Sequence, residues 1–288
     1  MSQLGYKLNQ LVHKTHKEDG YSTRGSRGDI LNQMAKQLRD AGFNLRDPKG
    51  LKEKHVTFLV NLWKEQSLAT KTIKNRMSAL RWWADKVGKR NIVHKTNEEY
   101  GIARVFSSPI GKSKSLDLEK HSKITDDHLK LSLRLQQEFG LRREECIKFI
   151  LSYADQQDHL RLKGSWTKGG KPRQIPIRTD SQKKLLDDIR AFNKGASMIP
   201  AEKNYKQQLD NYVYQTSRVG LSKNHGLRHH YARERYFSLT GWKCPADGGP
   251  KRAELSGELR KQDVEARMII SRELGHERFS ITYTYLGS

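Results

Sequence analysis

Between Arg90 and Ser122 the chain loses its apolar periodicity, and that gap sets the architecture. Hydrophobic residues recur at helical spacing before it and again after it. The gap itself runs through Gly101, Ser107, Ser108, Pro109, Gly111, Lys112, Ser113, Lys114 and Ser115. A segment with so little to bury reads as a linker between two separately packed units. The expected organisation is a flexible lead-in over 1–23, a helical unit over 24–95, a linker over 96–123 and a second compact unit over 124–288.

The lead-in is polar and becomes Gly/Ser-rich toward its end. His13 and His16, three apart, read as solvated side chains because a metal would need more ligands. From Gly28 the pattern turns helical. Ile30, Leu31, Met34, Ala35 and Leu38 share one face, and Gly42 suits a C-cap. Val56, Leu59, Val60 and Trp63 line one side of a second helix. In a third, Ile73, Met77, Leu80, Ala84 and Val87 form the core stripe. Lys71, Lys74, Asn75, Ser78 and Trp82 form the opposite stripe, with Arg81 at its border. Such a helix can bury one face and lay the other along a polyanion.

In the second unit a helix is expected from Thr125 to about Phe139, broken by Gly140. A new helix begins near Arg142, with Cys146, Phe149 and Ile150 buried. From Leu160 to Ile177 the period changes. Leu160 and Leu162 alternate with Arg161 and Lys163, and Ile175 and Ile177 alternate after Thr167-Lys168-Gly169-Gly170-Lys171. That is a β-hairpin with a basic tip. Helices resume with Leu185, Leu186, Ile189 and Phe192, then with Leu209, Tyr212 and Val213. A Gly/Pro-rich loop spans Gly241 to Pro250. A last helix carries Val264, Met268 and Ile269 and ends at Gly275. The fold class expected is mainly α with one small β-hairpin, in two domains.

Charge narrows the partner. The 288 residues carry 55 Lys+Arg against 32 Asp+Glu, a net charge of +23. Residues 1–100 hold 20 basic and 10 acidic side chains, and the rest hold 35 and 22. Both units are therefore basic, as expected if both touch one nucleic acid. Mean hydropathy is −0.86. The longest strongly apolar stretch, around Val56 to Trp63, falls far short of the ~20 residues of a membrane span. No signal-peptide pattern opens the sequence. Two cysteines, Cys146 and Cys244, cannot build a disulfide framework, and a reducing, cytoplasmic setting near the bacterial nucleoid is the expectation.

Four short stretches carry the chemistry. They are Gly140-Leu141-Arg142-Arg143-Glu144-Glu145, the hairpin tip Thr167-Lys168-Gly169-Gly170-Lys171-Pro172-Arg173, His225-Gly226-Leu227-Arg228-His229-His230, and Leu274-Gly275-His276 followed by Tyr285. Each is weak alone, but the order is specific. The set resembles the tyrosine recombinase family, which includes phage integrases and the Xer recombinases. Residues 24–95 resemble its helical core-binding domain, chiefly over Leu68–Trp83, and 124–288 its α+β catalytic domain.

The resemblance implies a site-specific recombinase that cleaves and rejoins DNA through a 3′-phosphotyrosyl intermediate, in the service of a mobile element. Its residues would be Arg142, Lys168, His225, Arg228, His276 and Tyr285. A phosphodiester gathers negative charge as it is attacked, and fixed guanidiniums that donate in pairs suit that charge. Arg142 and Arg228 are the expected clamps and Tyr285 the nucleophile. Lys168 would be the general acid, His225 a base or phosphate ligand, and His276 a phosphate ligand. Glu145 matches the acidic position that supports the domain in relatives. Lys71, Lys74, Asn75, Arg81, Lys171 and Arg173 are the expected DNA contacts. No metal or other cofactor is called for, because the covalent bond conserves the phosphodiester energy. The partner would be double-stranded DNA, with a homodimer on each site, a homotetramer in synapsis, and no membrane.

Competitors stand beside several assignments: Arg143 beside Arg142, Lys171 beside Lys168, and Tyr283 beside Tyr285. His229 and His230 suggest a metal cluster with His225, but the nearest cysteine, Cys244, lies across a loop. The interval from Arg228 to His276 is long, and 241–257 reads as an insertion that contacts DNA, a partner subunit or nothing. Only three residues follow Tyr285, which puts exchange of a C-terminal tail between subunits in doubt. A type IB topoisomerase shares this chemistry, and a DNA-binding protein of the same fold without catalysis is the other alternative.

Overall fold

The computed structural model describes residues 2–15, 20–105 and 108–288. The chain divides between residues 106 and 107 into two compact units. His16 and Ser107 lie outside the described residues.

The first unit is built from helices α1 (Gln3–Lys14), α2 (Tyr21–Asp40), α3 (Glu53–Glu65) and α4 (Thr70–Lys86). The flexible lead-in expected over 1–23 is corrected here. Ser2 caps α1 by accepting from Gly5 N at 3.1 Å, and Leu4, Leu8 and Val12 follow at four-residue spacing, all buried. They join the core formed by Leu31, Met34 and Leu38 of α2, Leu59 and Trp63 of α3, and Met77, Leu80 and Trp83 of α4. Two indoles fasten this core. Trp63 Nε1 donates to Gln37 Oε1 at 3.0 Å, and Trp83 Nε1 to the Pro48 carbonyl at 3.1 Å. The segment read as a linker, 96–123, is partly absorbed as well. Ile102 is buried in the first core and Leu116 in the second.

The second unit contains α5 (Leu118–Ser122), α6 (Asp127–Phe139), α7 (Arg143–Ile147) and α8 (Leu151–Ala154), then strands β1 (His159–Leu162) and β2 (Arg173–Pro176). The strands pair antiparallel, with Leu160 opposite Ile175 and Leu162 opposite Arg173. Helices α9 (Asp180–Asn193), α10 (Tyr205–Arg218), α11 (His225–Thr240), α12 (Gly257–Glu273) and α13 (Tyr283–Leu286) complete it. Asp126 caps α6, and Gly140 ends it at φ +61°. A Cβ at Gly140 would lie 2.6 Å from the ring of Tyr231, so glycine alone lets α6 stop against α11.

Three apolar expectations shift. Phe192 and Val213 are 41 % and 47 % exposed rather than buried. On α12 the buried face is Asp263, Ala266, Arg267, Ile270 and Ser271, while Val264, Met268 and Ile269 are half-exposed. A charged pair replaces part of the apolar stripe there: Arg267 Nε donates to Asp263 Oδ1 at 2.7 Å with both side chains fully buried. No helix among the described residues is long and apolar enough to cross a membrane.

If α1 is part of the core, Leu8→Ala should destabilise the first unit by about 2–5 kcal/mol in a denaturant titration. A loose lead-in would show no change.

Candidate active site

The site is organised around one buried carboxylate. Glu145, in the first turn of α7, is fully buried. Arg142 begins the helix, and its backbone N–H donates to Glu145 Oε2 at 2.7 Å, as a residue three places into a helix can arrange. Arg142 Nη1 donates to Oε1 at 2.8 Å. Arg173, arriving on β2, meets the same carboxylate with both Nη atoms at 2.6 Å. Arg228 Nη1 stands 4.0 Å away. Burial alone would raise the Glu145 pKa. The hydrogen bonds and charge of Arg173, then the charges of Arg228 and Arg142, outweigh it and hold the group at about 2.

The arginines converge from there. Arg142 Nη2 donates to the Leu274 carbonyl at 3.2 Å, and Arg228 Nη2 donates to that same carbonyl. Arg228 Nη1 donates to the Gly140 carbonyl, and its Nε donates to Tyr285 Oη at 3.2 Å. Burial pulls Arg228 down to about 10, which still leaves it charged at neutral pH. The short turn at Leu274–Gly275 thus sits under both guanidiniums and carries His276 past them. His276 Nε2 lies 3.3 Å from Arg142 Nη2, which fits the tautomer with its proton on Nδ1.

Three imidazoles surround Tyr285. Ring centroids are 4.7 Å apart for His229, 6.3 Å for His276 and 6.4 Å for His225. Burial first, then the charges of Arg228, Arg142 and Arg173, lower His276 to about 4. Burial, then His225 and Arg233, lower His229 to about 3. His225 is lowered by burial and by Arg228 and Arg142. A neutral imidazole has one acceptor nitrogen, and in His276 that nitrogen already faces Arg142 Nη2.

Arg142, Arg228, His276 and Tyr285 therefore form one hydrogen-bonded cluster, with His225 at its edge. Lys168 does not join it. It is exposed on the loop between β1 and β2, beside Gly169 and Gly170 at φ +88° and +72°, and no hydrogen bond or ion pair of Lys168 occurs among the described residues. Lys171 pairs with Glu277 at 2.8 Å instead. Tyr283 points elsewhere, with its hydroxyl accepting from Arg252 Nη1 at 3.1 Å. Among the described residues no group of three or more His, Cys, Asp or Glu is arranged to hold a metal.

Two expected DNA contacts have other work in this structure. Arg173 is buried against Glu145 and also donates from Nε to the Glu273 carbonyl at 2.9 Å, so it is a structural member of the cluster and not a surface ligand. Arg81 donates to the carbonyls of His94 and Thr96 at 3.0 Å each, pinning the chain after α4. Lys71 and Asn75 are exposed on α4 and Lys74 is half-buried there. Sequence reasoning passed over Arg27, whose guanidinium stacks 4.5 Å from the ring of Trp82, and Arg76, nearly buried against Trp63 at 5.5 Å. It also passed over Arg233, whose Nε donates to the Tyr285 carbonyl. None of these breaks a hydropathy pattern in a way that marks it.

A family model described as "Phage integrase, N-terminal" matches residues 1–93, and one described as "Integrase" matches residues 111–234. The chain belongs to the phage integrase, or tyrosine recombinase, family. Among solved structures it resembles a lambda integrase dimer bound to a COC′ core site, at 15 % identity and TM-score 0.63, covering 98 % of this chain and 94 % of that one. It also resembles the XerH site-specific recombinase bound to palindromic difH substrate in a post-cleavage complex, at 14 % identity and TM-score 0.58, over 93 % and 77 %. A third is a lambda integrase tetramer bound to a Holliday junction, at 15 % identity and TM-score 0.58, over 95 % and 74 %. No curated protein sequence matches significantly.

Glu145→Gln keeps the shape but removes the charge that three arginines face. It should cost about 3–5 kcal/mol in unfolding free energy, the usual penalty for breaking a buried pair from one side. Loss of less than about 1 kcal/mol, the range of exposed pairs, would show that the carboxylate is not the anchor.

Proposed function

We propose that this chain is a site-specific DNA recombinase that cleaves and rejoins strands through a phosphotyrosyl intermediate at Tyr285. The single observation that carries the reading is the Arg228 Nε–Tyr285 Oη hydrogen bond at 3.2 Å, made by a guanidinium that shares the Leu274 carbonyl with Arg142. A phosphate placed over that pair would meet the tyrosine oxygen within the same cluster.

The chemistry runs as follows from these residues. Tyr285 Oη attacks phosphorus and its proton passes to the neutral imidazole of His225. The P–O5′ bond breaks, and the departing oxygen takes a proton from Lys168, carried in on the β1–β2 loop. Arg142 and Arg228 hold the non-bridging oxygens, where a preorganised donor is worth roughly 3–4 kcal/mol of barrier. Rejoining reverses each step: a 5′-hydroxyl attacks, Tyr285 leaves and recovers its proton. The phosphodiester bond energy stays in the covalent link throughout. Lys71, Lys74 and Asn75 on α4 would contact DNA in the first unit, with Lys171 at the hairpin tip in the second. The dimer and Holliday-junction tetramer named for the structural relatives support a dimer on each site and a tetramer in synapsis. Integration and excision of a mobile element is the biological role that follows.

The full chain should bind a selected set of duplexes from a randomised pool and form a covalent adduct on a nicked version of that duplex. Tyr285→Phe should form none, and adduct at the wild-type level in that variant would contradict the assignment. Relaxation of supercoiled DNA lacking the selected site would favour a topoisomerase instead.

The pH profile gives a second check. His225 accepts a proton only when neutral, and burial with the charges of Arg228 and Arg142 lowers its pKa. Cleavage should therefore hold its rate as pH falls through about 6.5, the ordinary imidazole value, and drop only at lower pH. A fall centred near the ordinary value of about 6.5 would show that an unperturbed imidazole is the base.

A further inference from the structure

Helix α11 grips the nucleophile at both ends. Arg228 Nε donates to the Tyr285 hydroxyl at 3.2 Å, and Arg233 Nε donates to the Tyr285 backbone carbonyl at 3.2 Å. The two arginines are five residues apart, and five residues of α-helix advance about 7.5 Å, comparable to the span of a tyrosine from carbonyl to hydroxyl. The helix thus matches the residue it holds.

Arg233 is only 6 % exposed and every nitrogen of its guanidinium is engaged. Nη1 pairs with Asp247, and Nη2 donates to the Pro109 carbonyl at 2.6 Å. Asp247 belongs to the 241–257 segment, which lies between Arg228 and His276 in the chain. That segment is folded. It makes a short 3-10 turn at Pro245–Asp247, with Asp247 N donating to the Cys244 carbonyl at 2.9 Å and Gly249 N to the same oxygen at 3.0 Å. A Cβ at Gly249 would sit 1.6 Å from the Lys243 carbonyl, so the turn demands glycine. The far side of the turn abuts the chain just past the nucleophile. A Cβ at Gly287 would lie 2.9 Å from Ala246 N and 3.2 Å from Pro245 Cβ.

A buried guanidinium is stable only when each donor finds an acceptor. Here one of those acceptors is the carbonyl of Tyr285 itself, and another is the Asp247 carboxylate of the 241–257 loop. We propose that Arg233 is a positioning residue for Tyr285, and that the 241–257 loop exists to hold it through Asp247 and to back α13 through Pro245 and Ala246. Neither Arg233 nor Asp247 has a hydrogen bond to Arg142, His276 or Glu145. Their contribution falls on alignment of the nucleophile and not on capture of the phosphate. The proposal rests on the reading of Tyr285 as the nucleophile.

The test uses the full chain on the selected duplex, nicked to trap the adduct. Arg233→Gln should slow adduct formation about 100-fold and Asp247→Asn about 10-fold, the scale of loss for a small misplacement of reacting groups. Binding to the same duplex should stay within about twofold, and the double variant should be no slower than Arg233→Gln alone, because Asp247 acts through Arg233. A duplex with sulfur in place of the bridging 5′ oxygen separates alignment from acid catalysis. Sulfur leaves without a proton, so it should rescue Lys168→Ala but not Arg233→Gln. Wild-type cleavage by Arg233→Gln, rescue of it by sulfur, or loss of DNA binding in step with loss of cleavage would each overturn the proposal. If Arg233→Gln does not fold, Asp247→Asn decides by the same readings. A wild-type chain that forms no adduct defeats the reading of Tyr285 first, and this proposal with it.

Discussion

One buried carboxylate, Glu145, sets the geometry on which the rest of the second unit depends. It faces three guanidiniums, those of Arg142, Arg173 and Arg228, brought from α7, β2 and α11. A lone carboxylate in that position would be strongly disfavoured by burial, and so would any of the arginines. Together they are stable, yet the count is unequal. One negative charge answers three positive ones, and the three nearby imidazoles are kept neutral by burial and by the same arginines. The cluster retains a net positive charge in a partly desolvated place, a setting that favours an anion.

The elements around Glu145 serve that arrangement. Gly140 lets α6 end close against Tyr231, which places Arg142 beside the turn at Leu274. Tyr231 in turn donates from its hydroxyl to Glu273 Oε2 at 2.7 Å, and Arg235 pairs with the same carboxylate, so α11 and the end of α12 are tied together beside Leu274. The Tyr285 segment is fastened twice more, by Arg233 on the Tyr285 carbonyl and by Arg267 Nη1 on the Gly287 carbonyl at 2.9 Å.

Much of this is legible in the sequence. The apolar faces of α2, α3 and α4 follow from spacing, and the hairpin follows from the change to alternation between Leu160 and Ile177. The stretches around Arg142, Arg228, His276 and Tyr285 are each weak alone and stand out through their order, which carries the family resemblance. What hydropathy cannot show is a charge buried by its partner. Arg173, Arg233, Asp263 and Arg267 all look like solvent-facing residues in a pattern of apolar and polar positions, and the last two displace Val264 and Met268 from the inner face of α12. Helix α1 fails differently. Leu4, Leu8 and Val12 do carry a helical stripe, but single apolar residues diluted by polar neighbours weigh little until α2 is there to cover them. The position of Lys168 is fixed by neither sequence nor contacts, since two glycines follow it on an exposed loop.

The most direct test is a crystal structure of the full chain on its selected duplex with vanadate in place of the scissile phosphate. The account predicts a trigonal-bipyramidal vanadium with Tyr285 Oη at one apex, the 5′ oxygen at the other, and guanidinium nitrogens of both Arg142 and Arg228 on the equatorial oxygens. Vanadate bound with Tyr285 away from the apical position, or held by only one of those arginines, would contradict it.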